Sequence, residues 1–421
     1  MIIDAILYLA AAAYVLGALV LIVFVGSFGV LLAIYWMIRR ESPQLPVVPT
    51  ADLPAITIQL PVFNEAHVIE RLLDACARLD YPPGQLHIQV IDDSTDETTR
   101  LIRQRIAYWQ DRGVSYIDLL RRPARSGYKA GALAYGLSQT TTDYIAVFDA
   151  DFIPPRDFLH RTVPYFTANP NLALVQTRWN HLNRNTNGLT RAQALTMDGH
   201  FIVEQTARNR GQLPMSMNGT GGLWRVAALH DAGGWSSDTI TEDLDLSYRA
   251  LLRGWEFLYL PDVTVPGELP PQVQAYKIQQ RRWATGMTEN LIKNAIPLLR
   301  SRRYSPGKKL MGLAHLAQYA IQPLILLLFV LTPLLLWGDM FPRMPNLGPL
   351  FGAVGLIAPA IMITAQWEIG GNWMQRLLAF PVQFIIGAAA VLNNTWGVLN
   401  GLHRPGVERE FKRTPKFRLM Q

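Results

Sequence analysis

The chain has 421 residues, of which 39 are Lys or Arg and 32 are Asp or Glu, so its formal net charge is +7. This length accommodates a large catalytic domain together with membrane segments. The single cysteine, Cys76, excludes an internal disulfide and any cysteine-based zinc site, and its leucine neighbours predict a core position. The basic residues cluster near apolar segments, and the sequence shows no motif of a nucleic-acid-binding module. We therefore expect a lipid bilayer and not a nucleic acid as the partner.

The chain begins with a long apolar segment. Residues 1–38 contain one acid, Asp4, and the first basic residues are Arg39 and Arg40. The segment exceeds the roughly 20 apolar residues that span a bilayer, and it is too long for a cleaved signal peptide. We therefore expect residues 1–40 to form a retained transmembrane anchor with the N-terminus outside, followed by a proline-rich linker at 41–54.

Residues 55–300 show an α/β pattern. Short apolar strands are predicted at 56–60, 87–91, 114–118 and 144–148, with a helix capped by Asn64 after the first and helices near 97–109 and 129–140. Strands that alternate with helices predict a mostly parallel, doubly wound sheet. Ligands bind beyond the carboxyl ends of the strands in such a sheet, so acidic residues at those ends are candidates for a site.

Residues 301–404 predict a C-terminal membrane region. Leu310–Trp337 and Leu350–Ala365 are apolar enough to span a bilayer. The apolar stretch Leu377–Leu402 contains several asparagines, which are costly in lipid, so we expect it to lie in the interface or to pack on protein. Three crossings from an outside N-terminus would place residues 405–421, a basic tail, in the cytoplasm together with the domain at 55–300.

Two acidic pairs follow predicted strands. Asp92 and Asp93 precede a good helix cap, and a capping turn is the simpler interpretation of that pair alone; the alternative is a carboxylate that binds a nucleotide base or ribose. Asp149 and Asp151, two residues apart after a buried strand, can face one cleft, although a surface turn is the alternative. Carboxylates held close together favour a cation, and hard oxygen ligands suit Mg²⁺ or Mn²⁺.

Further candidates lie at predicted helix starts and at a glycine-rich turn. Lys129 could neutralise a diphosphate or be a surface lysine. Thr241 fits a helix N-cap, whereas the functional interpretation makes Asp243 a general base. The turn at Met217–Gly222 allows a ligand to approach the backbone. The sequence has neither a Walker loop nor a GxGxxG after a strand, which excludes the common ATP and NAD motifs.

The segment Gln279–Trp283 combines guanidinium groups with an indole. Arg282 suits a diphosphate through forked hydrogen bonds, and Trp283 offers a flat face to a sugar ring. An amphipathic interfacial helix is the alternative, because arginine and tryptophan are common membrane anchors.

The candidate motifs occur in the order D, DxD, TED and QxxRW, at Asp93, Asp149/Asp151, Thr241–Asp243 and Gln279/Arg282/Trp283. With this pattern the chain resembles membrane-bound family 2 glycosyltransferases of the cellulose synthase type. Over longer stretches such as 59–65 and 147–152 it is similar to plant-type mannan and glucomannan synthases. The resemblance covers roughly residues 55–300 and extends to the arrangement of membrane segments on either side of them.

The resemblance implies a GT-A-like catalytic domain flanked by helical transmembrane and interfacial segments. It also implies an inverting, metal-dependent β-glycosyltransferase that moves a hexose from UDP-glucose or GDP-mannose to a growing β-glucan or β-mannan chain. In that scheme the base is Asp243 with support from Glu242, and the metal ligands are Asp149 and Asp151. The nucleotide-sugar contacts would be Asp92, Asp93, Lys129, Asp149, Gln279 and Arg282, and the acceptor contacts would be Asn218, Gly219, Thr220 and Trp283.

The tail resembles the gating loop FxVTxK of these enzymes at Phe411, Thr414 and Lys416, with Arg413 in place of the valine. Polymer-secreting relatives carry more membrane helices after this loop. We therefore expect an oligomer, a secretion partner, or transfer to a lipid instead of a polymer. The alternative functions are a glycolipid synthase that moves one hexose to diacylglycerol or ceramide and, in another class, a non-catalytic membrane scaffold.

Overall fold

The computed structural model describes residues 2–41, 43–114, 116–403, 405–406, 408–409 and 413–416. Within these residues, a seven-stranded sheet has the order β3-β2-β1-β4-β6-β5-β7. The strands are β1 Ile56–Val62, β2 Leu86–Asp92, β3 Ile117–Leu120, β4 Tyr144–Val147, β5 Leu172–His181, β6 Gly222–Arg225 and β7 Glu256–Gly267. Only β6 runs antiparallel to its neighbours in this described sheet, which confirms the predicted mostly parallel, doubly wound α/β fold.

Helices cover the sheet and extend away from it at both ends of the chain. The first group comprises α1 Ile2–Ile38, α2 Ile69–Ala77, α3 Thr98–Gln110, α4 Tyr128–Ser138, α5 Phe158–Thr162, α6 Pro164–Ala168, α7 Gly188–Asp198, α8 Gln205–Arg210, α9 Val226–Asp231, α10 Glu242–Arg253 and α11 Val273–Arg300. A π-helical turn, Gly199–Glu204, joins α7 to α8. The second group comprises α12 Pro306–Leu316, α13 Gln322–Trp337, α14 Gly348–Gly355, α15 Ile357–Ile369, α16 Trp373–Leu377 and α17 Phe380–Leu402.

Both faces of the sheet are covered by helices and buried. On one face Ile58 packs in a cluster with Cys76 of α2, so Cys76 is a core residue as predicted. On the other face Val147 of β4 packs in a cluster with Leu133 of α4 and Leu246 of α10. Each fully buried side chain of this size contributes roughly 1.5–3 kcal/mol, and together they fix the strand ends that carry the site.

Two local predictions at the sheet are wrong. Asn64 does not cap α2: it has a φ of 55°, and its side-chain oxygen accepts a hydrogen bond from the Thr95 backbone at 2.8 Å. Asparagine tolerates this left-handed conformation and can tie two loops together instead. The strand predicted at 114–118 begins at Ile117, because the Val114 N–H bonds to the carbonyl of Trp109 at 3.0 Å and so belongs to the turn after α3.

The C-terminal helices also differ from prediction. Leu310–Trp337 is not one spanning helix, because α12 and α13 are separated by a turn and α13 has only 16 residues. Side chains from that turn bond elsewhere: Gln318 to Glu204 at 2.6 Å and Tyr319 to Gln280 at 2.7 Å. In the described part of the chain, three segments are long and apolar enough to cross a membrane: Ile2–Ile38, Gly348–Ile369 and Trp373–Leu402.

The last of these segments includes the asparagine-rich stretch for which an interfacial or protein-packed position was predicted. By length and composition it could span a membrane. The Asn393 side chain is buried against α11, where it donates to the Lys277 carbonyl and accepts from Arg281, both at 3.0 Å. The polar half of α17 therefore has protein partners, which removes the cost of exposing its amide to lipid.

Candidate active site

Two connected spaces lie beyond the carboxyl ends of β1, β2 and β4. We call the smaller, of about 90 Å³, the donor cleft; it is lined by Val62, Glu65, Asp93, Arg125, Thr414 and others. We call the larger, of about 590 Å³, the inner cavity; it is lined by Trp179, His200, Asn218, Gln279, Trp283 and others. Both spaces are lined by Lys129, Asp149, Asp151, Arg282 and Lys416. The folded chain thus gathers all four sequence signatures, together with the tail, around these two spaces.

The two aspartates at the end of β2 face different environments, since successive residues of a strand point to opposite sides. Asp92 is fully buried, and its carboxylate accepts hydrogen bonds from the Ser94 backbone at 2.9 Å and from Thr99 Oγ1 at 2.6 Å. Asp93 lines the donor cleft and is held by the Arg122 guanidinium, whose Nε donates at 2.9 Å. The structure therefore places Asp93 at the site and Asp92 inside the fold, where it shapes the turn.

The DxD carboxylates are neutralised by two lysines. Asp149 is partly exposed and pairs with Lys129 Nζ at 2.7 Å, whereas Asp151 is buried and accepts from Lys416 Nζ at 2.7 Å. Burial raises the pKa of Asp151, and the Lys416 ammonium opposes that shift. Burial also raises the pKa of Glu65 to about 8, while Lys416 and Arg413 act to lower it. Glu65 and Asp151 are thus paired with cations of the tail, whereas Asp149 is paired with Lys129.

The DxD pair fits a divalent cation bound jointly with a phosphate. Among the described residues no group of three or more His, Cys, Asp or Glu is arranged to hold a metal alone. Mg²⁺ and Mn²⁺ are commonly held by one or two carboxylates, and phosphate oxygens complete their coordination. Asp149 and Asp151 supply two such carboxylates, and Lys416 shows that a positive charge is favoured beside them.

Asp243 lies in the first turn of α10 and lines the inner cavity. Its side chain is half-buried. Burial and the neighbouring Glu242 carboxylate raise the pKa of Asp243 to about 7, whereas Lys129 opposes the shift. A carboxyl group with a pKa near neutrality is suited to accept a proton during a reaction. Glu242 itself is buried, with an oxygen 3.5 Å from Lys129 Nζ.

Helix α11 fixes the segment before Asp243. Thr241 is the N-cap residue of α10, as predicted, but its side chain makes no capping bond; its Oγ1 instead accepts from Asn290 Nδ2 at 2.9 Å. The Ile240 N–H donates to Glu289 Oε2 at 2.9 Å. A Cβ at Gly286 would lie 2.6 Å from Thr241 Oγ1, so only glycine allows this close approach. The same packing holds the start of α11 beside the cavity.

The Gln279–Trp283 segment occupies the early turns of α11. Gln279, Arg282 and Trp283 all line the inner cavity, and Arg282 also borders the donor cleft. Burial lowers the pKa of Arg282, and carboxylates led by Asp149 oppose that shift. Because an arginine stays charged under either influence, its guanidinium is a fixed cation at the junction of the two spaces.

The glycine-rich turn brings backbone close to Asp243. Gly219 has a φ of +79°, its carbonyl accepts from Lys129 Nζ at 2.9 Å, and a Cβ there would lie 3.4 Å from Asp243 Oδ2. Asn218 and Gly219 line the inner cavity. Thr220 does not: it is fully buried, and its hydroxyl accepts from the Asp149 backbone N–H at 3.0 Å. Thr220 therefore supports the DxD turn from behind.

Of the three predicted gating residues, Thr414 is buried at the donor cleft and Lys416 pairs with Asp151, while Phe411 lies outside the described residues. Arg413, at the position that departs from the gating pattern, pairs with Glu65 at 3.2 Å.

Two residues of the site, Glu65 and Arg122, were not predicted from the sequence. Their partners lie far away in the chain, so no local spacing could have identified them.

Comparisons with known proteins find a family and plant relatives for this chain. A family model described as "Glycosyltransferase like family 2" matches residues 54–286. Glucomannan 4-beta-mannosyltransferase 7 of Arabidopsis thaliana is 38% identical over 347 residues, which are 78% of this chain and 62% of the relative. Glucomannan 4-beta-mannosyltransferase 2 of the same plant is 35% identical over 420 residues, which are 94% of this chain and 74% of the relative. The chain thus spans 62% and 74% of the lengths of these two relatives.

A solved structure shares the fold. The mannosyltransferase PcManGT of Pyrobaculum calidifontis, in complex with GDP-Man and Mn²⁺, gives a TM-score of 0.55 at 19% sequence identity. The match covers 95% of this chain and 99% of that one, so it includes the membrane-type helices as well as the sheet.

Proposed function

Because this chain belongs to glycosyltransferase family 2, as its ordered motifs predicted, we propose that it is an inverting β-glycosyltransferase. It transfers mannose from GDP-mannose to a β-mannan acceptor at a membrane. The observation that carries the proposal is the position of Asp243, a carboxyl group with a pKa raised to about 7, in a cavity shared with Arg282 and the DxD pair. Residues 55–300 form the cytoplasmic catalytic domain, with the membrane segments 1–40 and 301–404 on either side.

The reaction divides between the two spaces. Asp243 removes the proton from an acceptor hydroxyl, whose oxygen attacks the anomeric carbon of the donor sugar. The bond from that carbon to the diphosphate breaks, and its electron pair leaves with the nucleotide. Lys129 and Arg282, at the junction of the spaces, stabilise the developing negative charge. A Mg²⁺ or Mn²⁺ ion held by Asp149 and Asp151 would add further neutralisation of the diphosphate.

The remaining donor and acceptor contacts are proposed from the residues that line the two spaces. Asp93, fixed by Arg122, borders the donor cleft and is the candidate nucleotide contact. Gln279, in the inner cavity one turn before Trp283, is the candidate contact for the diphosphate, and Trp283 offers an aromatic face to the acceptor ring. Asn218 and Gly219 complete the acceptor contacts. The tail residues Thr414 and Lys416 close the donor cleft as a gating segment.

The choice of mannose rests on the plant relatives, whose names describe them as glucomannan 4-beta-mannosyltransferases. UDP-glucose is the alternative donor. The test is to supply the purified full chain with Mn²⁺ and either labelled GDP-mannose or labelled UDP-glucose. We expect incorporation from GDP-mannose into a product that endo-β-1,4-mannanase degrades. Incorporation from UDP-glucose alone would replace the proposed donor.

One observation favours a second candidate, transfer of a single hexose to a lipid. The inner cavity is bordered by Phe24 and Phe28 of α1, which is long and apolar enough to cross a membrane, and by Ile321 and Ile325 at the start of the shorter apolar helix α13. A lipid acceptor could place its tail against these walls and its headgroup beside Asp243. The size of the product separates the candidates: a ladder of increasing length supports polymerisation, and one extractable glycolipid supports the alternative.

A further inference from the structure

A polar cluster in the wall of the inner cavity plays no part in the scheme above. His200 lies in the π-helical turn, lines the cavity, and places its Nδ1 2.8 Å from Glu204 Oε2. The buried Glu204 carboxylate also accepts from Arg208 Nε at 3.2 Å and from Gln318 Nε2 at 2.6 Å. Single π-helical turns are rare in proteins, and those that occur are often found at functional sites. Here the turn directs a side chain of catalytic type into the cavity.

The contacts determine which ring nitrogen of His200 faces a ligand. Burial alone would raise the pKa of Glu204, but His200 and Arg208 outweigh burial and hold that pKa below its usual range. The ionised carboxylate can only accept, so Nδ1 of His200 carries a hydrogen. Nε2 lies 3.3 Å from Asn218 Nδ2, and because an amide nitrogen can only donate, Nε2 is the acceptor of this contact. The Asn218 amide is fixed because its oxygen accepts from Gln205 at 2.5 Å.

The result is an acceptor and a donor side by side. The lone pair of His200 Nε2 accepts from Asn218 Nδ2 over a long contact of 3.3 Å, and Asn218 Nδ2 carries a second hydrogen. A sugar hydroxyl is both donor and acceptor, so one hydroxyl can replace this contact by donating to His200 Nε2 and accepting from Asn218 Nδ2. Asn218 precedes Gly219, whose backbone contacts Lys129 and lies beside Asp243. A hydroxyl bound at this pair therefore belongs to a sugar at the catalytic carboxylate.

We propose that His200, oriented by Glu204, binds a hydroxyl of the acceptor sugar and is a specificity-determining residue for the acceptor. The inference rests on the proposed function and adds a residue to it. It differs from a purely structural role, in which the His200–Glu204 pair at i, i+4 only stabilises the π-helical turn. A structural role predicts loss of donor chemistry and acceptor affinity together, whereas an acceptor contact predicts loss of acceptor affinity alone.

The test uses the purified full chain with GDP-mannose and short β-1,4-manno-oligosaccharides as acceptors. Loss of one hydrogen-bonding partner in His200→Ala should raise the acceptor KM by about tenfold. Hydrolysis of GDP-mannose in the absence of acceptor should stay at the wild-type rate. His200→Gln, which keeps a donor and an acceptor, should recover most of the affinity. The matched control is His87→Ala, which removes a histidine paired with Asp118 at 2.6 Å on β2, away from the cavity.

An unchanged acceptor KM in His200→Ala overturns the inference, and so does an equal loss of acceptor affinity and donor hydrolysis. If His200→Ala does not fold, His200→Leu, which fills the space without either nitrogen, carries the same expectations. A wild-type chain that transfers from neither GDP-mannose nor UDP-glucose refutes the proposed function, and this inference with it. Normal wild-type transfer with an unaffected variant refutes the inference alone.

Discussion

Replacing Asp243 by asparagine separates chemistry from binding at this site. The substitution keeps the size of the side chain but removes the proton acceptor. General bases contribute roughly 10²–10⁴-fold to the rates of enzymes, so we expect transfer to fall by about that factor. Donor affinity should change by less than about tenfold, because at most one ordinary hydrogen bond is altered and Asp93, Lys129 and Arg282 remain. Folding should not suffer, since the change removes a charge that burial and Glu242 both disfavour.

The assay measures the initial rate of labelled mannose transfer and, separately, GDP-mannose binding by isothermal titration calorimetry. Asp111→Asn, at an exposed carboxylate just after α3, is the matched control and should behave as wild type in both measurements. Transfer by Asp243→Asn within about tenfold of the wild-type rate would refute the role of Asp243 as base. A large loss of donor binding would show that Asp243 holds the donor instead.

Two other predictions concern charge at the site. Because Asp243 accepts a proton only when ionised, the transfer rate should fall as the pH is lowered through its raised pKa, about 7, and level off at higher pH. A rate profile that stays flat from acid to neutral pH would contradict this. Lys416→Ala removes the ammonium beside Asp151 and leaves the DxD carboxylates to repel each other, so Mn²⁺ should bind more tightly by calorimetry without donor. Lys277→Ala, at an exposed lysine of α11, is the control; unchanged or weaker Mn²⁺ binding in Lys416→Ala would be the contrary result.

The sequence predicted the position of the acidic residues better than their orientation. Asp93, Asp149 and Asp151 could be placed together because parallel strands end at the same edge of a sheet. Asp92 could not be distinguished from Asp93, since a one-residue shift of register exchanges the two faces of a strand. Strand β7 was missed because Pro261 and Pro266 lie within it, and proline argues against a strand except at the edge of a sheet, which is where β7 lies.

Residues whose roles depend on distant partners were beyond prediction. The spacing of His200 and Glu204 is visible as an i, i+4 pair, but the π-helical turn is not, and their partners Asn218 and Gln318 come from other elements. The break between α12 and α13 is similar, because the intervening turn is held by contacts of Gln318 and Tyr319 with other helices. Apolar composition alone therefore predicted one helix where tertiary contacts produce two.

The configuration of the glycosidic bond that the purified chain makes tests the proposed inverting mechanism most directly. GDP-mannose labelled in the sugar is supplied with Mn²⁺, and the product is digested separately with a β-mannanase and an α-mannosidase. The wild-type chain should make a β-linked product, because attack from the face opposite the leaving diphosphate inverts the anomeric carbon, and Asp243→Asn should make roughly 10²–10⁴-fold less of it. An α-linked product, or equal amounts of β-linked product from both proteins, would contradict the proposed role of Asp243.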